Sequence, residues 1–240
     1  MAIRGLSPRL GNLIAKHIPF GASLFGSQTS PTVSLFPSTQ QRDWRTKLTV
    51  GSGAADLITG PVFPTKFQDA GGIIFPYTPI IFIQQTASYG STGLTHSYYD
   101  HPAFESHNIG EIQITCPFTA NSKVEADMFR AALHFMRTVT KMYFGQDPKA
   151  GTPPPVLRLN AYGDHIFKNV PVVVTNFTID MANTVDYIAT SDGKTMVPAS
   201  TTLTCNLKPA YSRAATAKRF GLKNFADGSL LGSDSQGGFI

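Results

Sequence analysis

The sequence predicts an α+β protein whose strands pair antiparallel. Three observations carry that reading. One stretch, residues 121–144, has helical periodicity, strand patterns flank it on both sides, and the later strands are joined by connections too short for parallel crossovers. Gly at 21 and Pro at 17 supply the many turns that such a chain needs.

The N-terminal stretch, residues 1–42, is rich in Gly, Ser, Thr and Pro and reads as an arm. Within it Ser7-Pro8 can start a short helix running to His17, which Pro19 ends. Such a helix is too short to hold alone, so the arm either stays loose or orders on a neighbouring subunit. Residues 44–50 alternate as the first strand, with Trp44, Thr46, Leu48 and Val50 on one face. Residues 51–64 read as loop. Residues 73–77 and 80–84 read as extended, and Pro76 and Pro79 put them at a sheet edge or bend.

Residues 86–108 read as a long polar loop holding His96, His101 and His107, with Asp100 and Glu105 among them. The spacing matches neither HExxH nor any other zinc motif, so no metal ligands are assigned. Residues 109–116 form a clear strand: Ile112, Ile114 and Cys116 point one way, Glu111, Gln113 and Thr115 the other.

In the helix over 121–144, Lys123, Asp127, Arg130, His134, Arg137 and Lys141 share an arc about 80° wide, at about 100° per residue. The remainder is apolar. Val124, Met128, Ala131, Phe135, Val139 and Met142 form one flank, and Phe129, Leu133 and Met136 the other. So wide an apolar arc predicts burial on more than one side. Ser122-x-x-Glu125 fits a capping box, with Asn121 competing as cap, and Gly145 with Asp147-Pro148 is the stop. Core positions are assigned to Val124, Met128, Phe135 and Val139.

Strand patterns resume at 156–162, 170–180, 185–190 and 201–208, with a turn at 191–194. From Arg213 the periodicity dissolves. Arg213, Lys218, Arg219 and Lys223 come first, then Gly and Ser, with Phe220, Leu222, Phe225, Leu230, Leu231, Phe239 and Ile240 scattered between. A purely solvated tail needs no such anchors, so residues 213–240 are expected to be mobile alone and to dock on a partner surface.

Hydrophobic content of 42% is enough for a core, while 15% charged residues leaves a surface of uncharged polar groups. A net charge of +5 permits an acidic partner without specifying one. Cys116 and Cys205 sit in alternating patterns and lack CxxC spacing, which predicts buried thiols. The N-terminus has no continuous apolar core of a signal peptide, and no run approaches a membrane span. The expectation is a soluble protein folded in a reducing cytoplasm. There is no GxSxG, no GxxxxGK[ST] and no GxGxxG after a strand, so no catalytic residue and no cofactor is assigned.

An ordered set of short motifs over residues 76–213 carries a resemblance. Cys116-Pro117-Phe118-Thr119-Ala120 leads into the helix, which ends in Tyr143-Phe144-Gly145. Pro155-Val156-Leu157-Arg158-Leu159, Tyr162-Gly163, Phe167 and Val170-Pro171-Val172-Val173-Val174 follow. Then come Val185-Asp186-Tyr187-Ile188, Val197-Pro198, Thr201-Thr202-Leu203-Thr204 and Tyr211-Ser212-Arg213. This order resembles the tube-forming baseplate proteins of contractile-tailed bacteriophages, the tail tube initiator and the tube-baseplate adaptor.

The resemblance implies an antiparallel β-sandwich or split barrel flanked by one long helix, over residues 43–212. It implies a structural virion protein, not an enzyme, assembled in the host cytoplasm as a homohexameric ring at the tube-baseplate junction. The implied partners are the tail tube protein, baseplate hub or wedge proteins and the tape measure protein, with DNA passing through the lumen without specific binding and no membrane involved. In that setting Glu111, Gln113 and Thr115 are candidate lumen-facing residues, as is the stretch between Asp180 and Asp186. The candidate docking residues of the tail are Phe220, Leu222, Phe225, Leu230 and Phe239. Two other classes stay open: a nucleic-acid-binding module using the basic helix stripe, and a metal-dependent hydrolase using the histidine loop.

Overall fold

The computed structural model describes residues 44–93, 95–233 and 236–240. The arm expected over residues 1–42, with its short helix, lies outside the described residues. The described chain is α+β. Its main sheet has seven strands, and every recorded pairing is antiparallel. The strands are β1 (Lys47–Val50), β2 (Gly72–Ile74), β3 (Ile80–Thr92), β4 (His101–Thr119), β5 (Leu157–Ala161), β6 (Phe167–Met181) and β9 (Ser200–Pro209), while β7 (Tyr187–Ala189) and β8 (Met196–Pro198) pair separately. The order across the main sheet is β2-β1-β5-β6-β9-β4-β3.

That order has a geometric consequence. β2 and β3 are the two opposite edges, yet only residues 75–79 join them. Six Cα–Cα steps reach at most about 22 Å. A flat seven-stranded sheet puts its edges about 29 Å apart. The sheet therefore curls, and side-chain contacts mark the closure. Phe75 packs edge-on to Phe118 of β4, with centroids 6.2 Å apart. The Tyr77 and Thr119 hydroxyls are hydrogen-bonded at 2.7 Å, and Tyr162 Oη donates to the Pro79 carbonyl at 2.9 Å.

One face of the curled sheet holds the core. Leu48, Ile73, Ile112, Ile114, Cys116, Leu157, Leu159, Val172, Leu203, Cys205 and Leu207 are all buried there. Both thiols are free and buried, as their alternating patterns predict. The longer helix α2 (Lys123–Val139) covers this face through Ala126, Phe129, Ala131, Ala132, Phe135, Met136 and Val139. Two aromatic contact chains fasten it. Phe67 meets Phe135 at 5.7 Å, and Phe118 meets Phe129 at 5.9 Å.

The start of α2 follows its capping signal. Ser122 Oγ accepts from the Glu125 N–H at 3.3 Å, and Glu125 Oε2 accepts from the Asn121 N–H at 2.7 Å. Ser122 is thus the cap, and Asn121 is the partner of the reciprocal bond. The helix stops five residues earlier than the apolar pattern predicts. Thr138 Oγ1 donates to the His134 carbonyl and Thr140 Oγ1 to that of Met136, which satisfies last-turn carbonyls and ends the helix locally. Met142 and Phe144 are consequently exposed. Val124 is also displaced from its assigned core position: it lies in the first turn and is 54% exposed. Met128 is half-buried against the core.

The stretch 51–64, read as loop, contains a 3-10 helix (Ser52–Ile58), and α1 (Thr65–Ala70) follows. These carry Ile58, Phe63 and Phe67 into the core. Periodicity misses such short pieces because one helical turn contributes one or two buried positions.

The C-terminal residues fold back on the body. They form α3 (Arg213–Arg219), α4 (Leu222–Ala226) and a terminal strap. Phe239 stacks on Tyr211 at 4.8 Å and meets Phe220 at 5.7 Å. Asn169 Nδ2 donates to the Ser233 and Gln236 carbonyls, while the Asn169 carbonyl accepts from the Gly238 N–H. A Cβ at Gly232 or Gly238 would fall 2.0 or 2.6 Å from the Lys168 carbonyl oxygen, so the strap's close seating requires glycine at both.

Candidate functional site

The outer face of the sheet, opposite the core, is the best-defined candidate surface. Alternation along β4 turns Glu111, Gln113 and Thr115 outward while Ile112 and Ile114 go inward. Glu111 and Gln113 are exposed and Thr115 is half-buried. The register adds their neighbours. One row across β6, β9, β4 and β3 reads Asn176, Asn206, Gln113, Phe82, and the next reads Thr178, Thr204, Thr115, Ile80. A third runs Asp180, Thr202, Pro117. Thr115 and Thr204 share a hydroxyl hydrogen bond at 3.2 Å. The Asn206 Oδ1 atom is buried without a hydrogen-bond partner, an acceptor left open in the middle of the face.

Across these three rows the face is built of hydroxyls and amides with Asp180 as the charged member, and exposed Glu111 and Lys208 flank the rows on β4 and β9. At its margin the edge strand β3 breaks the pattern: Ile80 and Phe82 are 75% and 58% exposed. An edge strand with open backbone groups and uncovered apolar side chains is a template for pairing with another chain.

Most of residues 86–108 is strand rather than loop, with a turn only between Thr92 and His101. Gln85 to Thr92 pair with Ile109 to His101 as a two-stranded ribbon that continues the hairpin past β9, whose pairing with β4 begins at Ile112. At about 3.3 Å per residue the ribbon projects about 25 Å. Ser88 Oγ donates to Glu105, Ser91 Oγ donates to Asp100, and Tyr89 meets Phe104 edge-on at 5.8 Å. The histidines are spread along it. His107 opposes Ala87, His101 opposes Thr92, and His96 sits in the turn with a φ of 64°. Among the described residues, no group of three or more His, Cys, Asp or Glu is placed to hold a metal ion.

The polar stripe of α2 is partly tied down. Arg130 is paired with Asp192 and lies 3.4 Å from Asp127, and Asp127 Oδ1 accepts from the Ser191 N–H. These contacts fasten the β7–β8 turn to the helix. The Asp192 carboxyl is held down at about 2 by the Thr190 hydroxyl, the Lys194 N–H and the Arg130 guanidinium. In the core, burial pushes the Cys205 thiol up to about 12, with Cys116 adding to the shift. Burial raises the Cys116 thiol as well.

Of the candidate tail anchors, Leu230 and Phe239 are buried within this same chain, so neither is open to a partner. Phe220, Leu222 and Phe225 remain exposed. The sequence reading missed the strap's seat because Asn169 and the glycines give no periodic signal. The left-handed φ of 52° at Asn169 belongs to a residue type that tolerates it.

Fold and surface together define an α+β protein with an antiparallel sheet, polar on one face and helix-covered on the other. Compared with known proteins, the chain matches no family model and no curated sequence.

Proposed function

We propose that this chain is a structural virion protein, a ring subunit at the tail tube-baseplate junction of a contractile-tailed bacteriophage. Six copies form the ring, extend or nucleate the tail tube, and surround a channel for DNA. The observation that carries the reading is the outer face of β6, β9, β4 and β3: long antiparallel strands, polar and nearly uncharged across three rows, ending in an open apolar edge. The curl imposed by the five-residue link suits the split-barrel form of tube proteins.

A channel for DNA has to avoid cationic walls, because phosphates held by Lys and Arg release slowly at low salt. Hydroxyls and amides at Thr178, Thr204, Thr115, Asn176, Asn206 and Gln113 meet that requirement. Exposed Ile80 and Phe82 on β3 supply the contact through which one subunit's sheet continues into the next. The ribbon beyond it carries Tyr89, Tyr98, Tyr99 and Phe104, all exposed, toward the tube or baseplate proteins. No helix among the described residues is long and apolar enough to cross a membrane.

The test is particle mass by native mass spectrometry together with the symmetry of negative-stain class averages. A sixfold ring is the expected result, and Phe82→Lys should abolish it while leaving the subunit folded. A monodisperse monomer at all concentrations, or a ring whose lumen is dominated by Arg and Lys, would contradict the proposal.

A further inference from the structure

The cations along α2 are not equivalent. Arg130 is bracketed by Asp127 and Asp192. One turn further on, His134, Arg137 and Lys141 line a groove of about 360 Å³, with Leu57 and Met142 as apolar lining and Asp147 at the rim. Among the described residues, neither Arg137 nor Lys141 has an ion-pair partner. Arg137 sits in the last turn of α2, and Lys141 lies two residues past its end at Val139. The negative end of the helix dipole favours cations at this end of α2, but it gives no reason for the apolar lining beside them, where Met142 is 49% exposed.

We propose that this groove is a docking site for an acidic amphipathic segment of another protein. Carboxylates of the segment pair with Arg137 and Lys141, and its apolar side chains cover Leu57 and Met142. Residues 1–43 do not supply the acidic sequence such a segment needs, carrying Arg4, Arg9, Lys16 and Arg42 against the single acid Asp43. A second copy is the poorer occupant: Glu125 and Asp127 are used in the helix cap and the Arg130 contact, and Asp100 and Glu105 of the ribbon accept from Ser91 and Ser88. A duplex nucleic acid fits less well, because a phosphate backbone makes no use of the apolar side chains of Leu57 and Met142. The site is on the helix side of the molecule and is independent of the ring reading.

The experiment is fluorescence anisotropy with the full-length protein and a short fluorescein-labelled peptide rich in Glu, Leu and Phe. Saturable binding that weakens with salt is expected. Charge reversal by Arg137→Glu with Lys141→Glu should weaken it about tenfold, two exposed pairs each being exchanged for repulsion. The neutral pair Arg137→Gln with Lys141→Gln, checked by circular dichroism, should weaken it with the fold intact. Met142→Ser should weaken it about threefold through the lost apolar contact. Peptide affinity unchanged by the charge reversal overturns the proposal, as does absence of binding. A labelled DNA duplex that binds more tightly than the peptide, and loses its affinity in the same variants, overturns it in favour of nucleic acid. Native mass spectrometry of the same variants reads the ring separately, so failures of the two proposals are told apart.

Discussion

At the residue scale, Phe135 is the strongest test of the core. It is fully buried, touches Phe67 and sits at the centre of the face that α2 presents to the sheet. Phe135→Ala should cost about 3–5 kcal/mol in chemical denaturation, through lost transfer energy and the cavity left behind. Val124→Ala, at an exposed first-turn position, should stay within about 0.5 kcal/mol. The contrast also marks what the sequence could tell. Periodicity puts both residues on one flank, but it does not reveal how far along that flank the cover extends: Val124 is exposed and Phe135 buried. Asp192 offers a test of the contacts that fasten the β7–β8 turn. Its folded pKa of about 2 lies below the unfolded carboxylate value of about 4. Its contribution is therefore fully present above about pH 4 and is lost as pH falls through about 2. In acid titrations followed by circular dichroism, Asp192→Asn should lose that dependence and start from a lower stability at neutral pH. The raised Cys205 and Cys116 thiols should resist iodoacetamide in the folded protein and react on unfolding.

At the scale of elements, strands with one buried face were legible and those without were not. The segments at 109–116 and 201–208 alternate because Ile112, Ile114, Cys116, Leu203, Cys205 and Leu207 must reach the core. The ribbon has no buried face, so its residues 86–92 and 101–108 carry no apolar period and read as loop. Its removal should accordingly be cheap. Replacing residues 87–107 by an Asn-Gly turn should leave the melting temperature nearly unchanged, while the ring or tube assembly proposed above should fail. The C-terminal strap behaves in the opposite way. It was expected to be a separate docking tail, yet Leu230, Phe239 and the Asn169 hydrogen bonds make part of it an integral cover. Gly238→Ala should displace the strap and expose the Tyr211 ring, seen as faster proteolysis beyond Arg219 and a lower melting temperature. Unchanged cleavage would mean that the strap is not seated on Lys168 and Asn169 as described.

At the scale of the whole molecule, the class of the protein could be read from turns, short connections and one amphipathic helix. The curl of the sheet could not, because it depends on which strands become edges, and that is decided by pairings between residues far apart in sequence. Residues 75–79 act like a bowstring. Their length fixes how tightly the seven strands bend, and Phe75 and Tyr77 tie the string to the far limb at Phe118 and Thr119. In a closed ring the bend of each subunit sets how many subunits complete the circle. Adding a few Gly and Ser residues after Pro76 should slacken the string and flatten the sheet. On the ring function proposed above, such a variant should give rings of mixed or larger subunit number, or open arcs, from a chain whose core is otherwise intact.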